Sequence, residues 1–318
     1  MPVDLILGTN NVGPHGKVST LPQLEAVLDR FAADGNRVLD TAYLYPAGFP
    51  GESEAFLGET LSTPRIAAYG FVIDTKVRSF EDGAHTAPEI AKSVRLSFAR
   101  LGVDKVRTLY LHAPDRTVPF EESHRAMTEL YKEGKFERFG LSNYTVAEIE
   151  GFIVRAENDG LVMPGAVEAL YNLISRRVET ELLPLLRKHK ISFEAYSPLA
   201  SGFFSNISRD APPPAGGHFD PSTFNGQFNQ AWFFKDDLFT AAERIRALGL
   251  PPNAIALRWL RHHSALGDGD AILIGYSNIA QLDENLKFLE QGPLPTEVVQ
   301  SLDEIWAGIT TAAPEFAM

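Results

Sequence analysis

Short β-branched or apolar runs alternate with longer stretches of helical period along this chain, and this alternation constrains its fold more than any other feature. Eight runs read as strands: Leu5 to Thr9, Arg37 to Asp40, Phe71 to Lys76, Thr108 to His112, Phe136 to Leu141, Ala166 to Leu170, Ser192 to Ala195 and Ala271 to Ile274. Between them lie helical stretches such as Pro22 to Ala33, Pro88 to Leu101, Phe120 to Lys132, Val146 to Glu157, Glu179 to His189 and Gln281 to Leu289. Several starts are legible, with Pro22 and Pro88 in first turns and Thr145 placed to cap. Eight such units over 318 residues predict an α/β chain closed into a (β/α)8 TIM barrel, one domain spanning residues 1–318. A doubly wound sheet would announce itself by a G-x-G-x-x-G turn after the first strand, and none occurs.

One segment breaks the rhythm. From Pro198 to Lys235, after the seventh strand, the chain carries Pro212-Pro-Pro214, Gly216-Gly217 and many aromatics with little regular period. It reads as a long irregular loop folding over something apolar.

Composition removes whole classes of function. Lys and Arg number 29 against 41 Asp and Glu, a net charge of −12 that opposes nucleic acid and anionic membranes. With no cysteine there are no disulfides, thiolate nucleophiles or Cys-based metal sites, and no metal is expected. Phosphate-loop, H-E-x-x-H and G-x-S-x-G patterns are missing too. Without a basic leader followed by an apolar stretch, or a run of about eighteen apolar residues, the expected location is cytoplasmic.

In a barrel of this kind the chemistry sits where strands end, so polar residues terminating apolar strands are the candidates. Asp40, Lys76 and His112 end the second, third and fourth strands, and Tyr43 and Tyr45 follow Asp40. Singly, each has an ordinary structural explanation: cap, solvent-reaching amine, core histidine, packing. Together they compose a proton donor. An ammonium beside a phenol lowers its pKa, a carboxylate keeps the ammonium charged, and the imidazole gives a second hydrogen bond to a substrate oxygen. Such a group would protonate the alkoxide formed when hydride from a cofactor reaches a carbonyl carbon.

Gly35-Asn-Arg-Val-Leu-Asp40-Thr-Ala-Tyr-Leu-Tyr45, Ile73-Asp-Thr-Lys76 and Leu109-Tyr-Leu-His112-Ala-Pro-Asp resemble signatures of the aldo-keto reductases, with Tyr45 at the phenol position. Glu133-Gly-Lys-Phe-Glu-Arg-Phe-Gly-Leu-Ser-Asn-Tyr144, Ala195-Tyr-Ser-Pro-Leu-Ala-Ser-Gly202 and Gly275-Tyr-Ser-Asn-Ile-Ala-Gln-Leu-Asp-Glu-Asn285 extend the likeness over nearly the whole chain, closest to the aflatoxin-aldehyde reductase branch. The resemblance implies NADPH-dependent reduction of an aldehyde or ketone, NADH not excluded, with catalytic Asp40, Tyr45, Lys76 and His112. It also implies that Ser142, Asn143 and Glu168 hold the nicotinamide carboxamide, that Tyr196 stacks on its ring, that Leu199, Ser201 and Gly202 lie along the pyrophosphate, that Ser197 contributes to cofactor binding, and that Gly275, Ser277, Gln281, Glu284 and Asn285 hold the adenosine end. Relatives in this branch suggest a homodimer.

The sequence departs from the family in three places. Glu168 stands where relatives have Gln, losing a donor and placing negative charge beside a ring that is cationic when oxidised. Ile207 and His218 occupy positions where Lys and Arg would neutralise cofactor phosphates, although Arg209 and Lys235 lie nearby. Met318 replaces an Arg held to bind substrate carboxylates, so an uncharged or aromatic carbonyl compound is the expected substrate, with Phe49, Phe80, Phe203 and Trp232 as candidate pocket walls. Two other readings are open: a lyase with Lys76 as Schiff base, and a cofactor-sensing regulatory subunit.

Overall fold

The structure is a computed structural model that describes residues 3–318; Met1 and Pro2, the start of the expected domain span, lie outside the described residues. Eight parallel strands close into a barrel: β1 (Asp4–Gly8), β2 (Val38–Asp40), β3 (Val72–Val77), β4 (Val106–Leu111), β5 (Phe136–Ser142), β6 (Pro164–Leu170), β7 (Ser192–Tyr196) and β8 (Ala271–Ile274), with β8 returning to β1. Each expected strand is present, with both ends within two residues of those read from the sequence.

Alternation along each strand sorts the side chains. Leu39, Ile73, Leu109, Leu111, Phe139, Leu141, Val167 and Phe193 join the large apolar layer between strands and helices. Inside, Ile6, Ala271 and Leu273 form a small apolar cluster against Val38 and Tyr196. Many of the remaining interior positions are polar. Lys76 registers with Tyr110, Tyr110 with Gly140, Ser142 with Glu168, and Glu168 with Glu194, so one period-2 set carries the ionisable groups around the barrel.

The helices fix the sheet from outside. Helix Ala87–Leu101 buries Ile90, Val94, Phe98 and Leu101, each contributing roughly 1.5–3 kcal/mol of burial, and stops at left-handed Gly102. Helix Val146–Asp159 begins with a capping box in which Thr145 and Glu148 exchange hydrogen bonds, which anchors the turn that carries Ser142 and Asn143.

Two expectations need correction. The stretch Glu179 to His189 is not one helix: it divides into Val178–Glu181 and Leu183–His189, because Pro184 supplies no backbone N–H and can sit only in a first turn. Nor is the loop after β7 irregular throughout. It contains a 3-10 turn at Ala200–Gly202, a short helix Phe203–Asn206 and a helix Phe224–Phe233, the last capped by Thr223 accepting from the Gly226 amide at 3.0 Å. Asn225 and Gly226 hide that helix, since both disfavour helix interiors. What the loop folds over is largely itself: Phe203 packs against Phe219, Phe233, Phe234 and Phe239 with ring centres 5.2–6.5 Å apart.

Candidate active site

The C-terminal ends of the strands bring Asp40, Tyr45, Lys76 and His112 together. Lys76 is fully buried, and its Nζ donates to Asp40 Oδ1 and, at 3.2 Å, to the Thr41 carbonyl. It lies 5.4 Å from the centre of the Tyr45 ring and 5.5 Å from that of Tyr110. The Tyr45 ring meets His112 edge-on at 5.6 Å. Tyr43 is directed elsewhere, under the Arg100 guanidinium at 4.8 Å, so Tyr45 is the phenol of the cluster.

Electrostatics follow from burial and from two carboxyl groups around one amine. Burial raises Asp40 to about 6, although Lys76 opposes the shift. For Lys76 burial works against the charge, but Asp40, by its charge and by the hydrogen bond it accepts, outweighs it and holds the ammonium well above the ordinary lysine value. Burial drives His112 well below the usual histidine range, aided by Lys76 and His85, so the imidazole is neutral. Its Nδ1 is buried without a partner. The Nε2–H tautomer leaves no buried donor unpaired and offers its hydrogen to the cleft.

Tyr45 corrects a simple expectation. Lys76 does pull the phenol downward, but enclosure is the larger effect and the Asp40 charge adds to it, so the net shift is upward. The resting phenol therefore keeps its proton. Donation to an alkoxide, a far stronger base than phenolate, stays downhill.

Behind His112 the loops after β3 and β4 are tied together. Ser79 Oγ and His85 Nε2 are 2.7 Å apart, and the His85 amide donates to Asp115 Oδ2 at 3.1 Å. This network braces Phe80, which is 53% exposed, has φ 68° and sets its ring edge against His112 at 5.3 Å. Phe49 is likewise exposed, stacked on His15 at 3.8 Å. Trp232 is half-buried against Phe228. Phe203 is not a pocket wall: it is fully buried in the loop's aromatic cluster and presents no surface to a substrate.

Of the residues expected to hold a cofactor, Ser142, Asn143, Glu168 and Tyr196 adjoin this cluster. Tyr196 donates to Asn143 Oδ1 at 2.8 Å, and Asn143 Nδ2 donates to the His112 carbonyl at 2.9 Å and to Ser142 Oγ at 3.0 Å. Glu168 places Oε2 3.2 Å from the Lys76 Nζ. Ser197, Leu199, Ser201 and Gly202 follow directly after β7. Further along the chain, Gln281 accepts from the Ser277 amide at 2.6 Å, Asn285 donates to the Gly275 carbonyl at 3.2 Å, and Glu284 is exposed. Among the described residues the non-glycine positive-φ positions are Phe80, Asn143, Lys190, Ser197, Ala200 and Ser201, and all but Lys190 lie on loops following strand ends. Such strain is concentrated where ligands are held.

Sequence reading missed the groups below this cluster. Tyr110 donates to Glu194 Oε2 at 2.5 Å, and Glu194 pairs with Arg138 and Arg107, the latter also pairing with Asp74. The available signal was period two: Asp74, Tyr110 and Glu194 each stand two residues before Lys76, His112 and Tyr196.

Comparison with known proteins places this geometry among relatives. Residues 4–307 match the model of the Aldo/keto reductase family. An aldo-keto reductase of Pseudocercospora fijiensis is 36% identical over 92% of this chain and 100% of its own. The oxidoreductase sirO of Leptosphaeria maculans is 35% identical over 99% and 97%, respectively. Human aflatoxin B1 aldehyde reductase member 2 is 33% identical over 98% of this chain and 88% of its own.

Proposed function

Because this chain belongs to the aldo/keto reductase family, we propose that it reduces an aldehyde or ketone to an alcohol, with Tyr45 as the proton donor and NADPH as the expected cofactor. The observation that carries this reading is the Asp40–Lys76–Tyr45–His112 cluster at the strand ends, with Lys76 bonded to Asp40 and His112 set against Tyr45. The residues present fit a nicotinamide dinucleotide: Asn143 and Tyr196 are linked beside the cluster, and the strained loop after β7 adjoins them. When bound, that cofactor supplies the hydride.

The chain's own residues do the rest. His112 offers its Nε2–H to the carbonyl oxygen and fixes it near the phenol. As the carbon is reduced, the Tyr45 O–H bond breaks and its proton goes to that oxygen. Lys76 then stabilises the phenolate, while Asp40 keeps the amine protonated and aimed. Phe80, exposed with its ring against His112, gives the site an apolar rim, which favours an uncharged or aromatic carbonyl compound. No helix among the described residues is long and apolar enough to cross a membrane.

Titrating the protein's fluorescence with NADPH and with NADH, followed by turnover of an aromatic aldehyde, tests the reading. Saturable binding with turnover is expected. Binding without turnover would favour the cofactor-sensing subunit, and neither dinucleotide binding would refute both.

A further inference from the structure

Four carboxyl groups and three cations meet inside the barrel: Asp40, Asp74, Glu168 and Glu194 against Lys76, Arg107 and Arg138. The lower part is balanced, since Arg107 pairs with Asp74 and reaches Glu194 at 3.2 Å while Arg138 pairs with Glu194. The upper part is not balanced. Asp40 and Glu168 share the single ammonium of Lys76, and Asp40 takes its aligned hydrogen bond. Glu168 Oε2 lies 3.2 Å from the same Nζ but outside hydrogen-bond geometry, and has no other partner. Glu168 is 3% exposed, so bulk water does not compensate.

We propose that Glu168 holds a proton in the resting site and releases it when an oxidised nicotinamide binds, so that affinity for oxidised cofactor rises with pH while affinity for reduced cofactor does not. This rests on the cofactor reading above.

The surroundings of Glu168 decide the direction. Lys76 faces it from β3, Asp40 from β2, Glu194 from β7, Tyr110 from β4, and Tyr45 and Tyr196 from the strand ends. Its register partner on β5 is Ser142, and β1 and β8 contribute apolar Ile6 and Leu273 to the interior. Only Lys76 among these is positive, and it is already committed to Asp40. Burial and the Asp40 charge accordingly raise the Glu168 carboxyl well above the usual carboxylate range, with Lys76 opposing. Protonated, Glu168 supplies the donor that a Gln would have brought; ionised, it supplies a counter-charge for a cationic ring. A neutral reduced ring gives no such incentive.

Release of one proton on binding makes the dissociation constant fall by up to about tenfold per pH unit, between the carboxyl's value in the complex and its higher value in the free protein. Calorimetric titration of the whole chain with NADP+ and with NADPH from about pH 6 to about pH 9, in two buffers of different ionisation enthalpy, reads both affinity and protons released. The native protein is expected to bind NADP+ more tightly as pH rises and to release protons, with NADPH affinity flat. Glu168→Gln should be flat for both. Infrared difference spectra of the cofactor-free protein should show a protonated carboxyl near neutral pH that is absent in Glu168→Gln. Native NADP+ affinity that ignores pH, or a missing carboxyl band, overturns the proposal. If neither NADP+ nor NADPH binds, NAD+ and NADH are titrated in the same way, and failure of all four overturns the cofactor reading; the carboxyl band, which needs no cofactor, still decides whether Glu168 holds the proton.

Discussion

The Tyr110 ring occupies the space that a side chain at Gly140 would need: a Cβ built there lies 2.2 Å from Tyr110 Cδ1. Tyr110 in turn lies beside the Lys76 ammonium and bonds Glu194, so a backbone position on β5 controls the floor under that amine. Gly140→Ala should displace that ring, lower stability by about 1–3 kcal/mol, as overpacking does, and reduce kcat more than KM. Thermal unfolding with steady-state kinetics checks it; native activity in a destabilised variant would show that Tyr110 does not support the site.

Tyr45→Phe removes the hydroxyl proposed to protonate the product. Carbonyl reduction should fall by at least about a hundredfold, while cofactor affinity stays within a few-fold, since general-acid contributions typically run 10²–10⁴. Retention of most of kcat would mean that another group is the acid.

The pH profile should carry the mark of Asp40. Its carboxyl is raised to about 6, so as pH falls through that value it gains a proton and ceases to hold Lys76 in place, and kcat/KM should drop. His112 is held neutral well below the usual histidine range and adds no limb there. The acid limb should therefore persist in His112→Gln and vanish in Asp40→Asn. If the limb disappeared with His112 instead, the imidazole would be the titrating group.

Phe80 stands 53% exposed with its edge on His112, which makes it a natural platform for an aromatic substrate. Phe80→Ala should raise KM for an aromatic aldehyde roughly 5–20-fold, the worth of one lost ring contact, and leave KM for a small aliphatic one nearly unchanged. Assayed on matched aldehydes with and without a carboxylate, the native enzyme should favour the uncharged member. A strong preference for the acid would contradict the apolar rim.

Schiff-base chemistry requires a free amine, and Lys76 is held protonated by the Asp40 carboxylate to which it donates. Borohydride reduction in the presence of a carbonyl substrate should leave Lys76 unmodified in peptide mass analysis. A stable adduct on Lys76 would revive the lyase reading.

The sequence by itself determined the alternation of strands and helices, and with it the barrel, because a side chain's preference for one face repeats every two residues in a strand and every three to four in a helix. It also placed Asp40, Lys76 and His112 at strand ends, where such a barrel does its chemistry. Only the tertiary structure decided which of these groups meet and how they are charged. Arg107 and Glu194 are 87 positions apart and Arg138 and Glu194 are 56 apart, and no local pattern states that they neutralise one another. The surplus acid at Glu168 and the upward shift of Tyr45 come from closure of the sheet, and the retreat of Phe203 comes from aromatics distant in the chain packing on one another in the loop after β7. Closure sets strand register and shuts out water, and the balance of desolvation against charge is fixed only once both are in place.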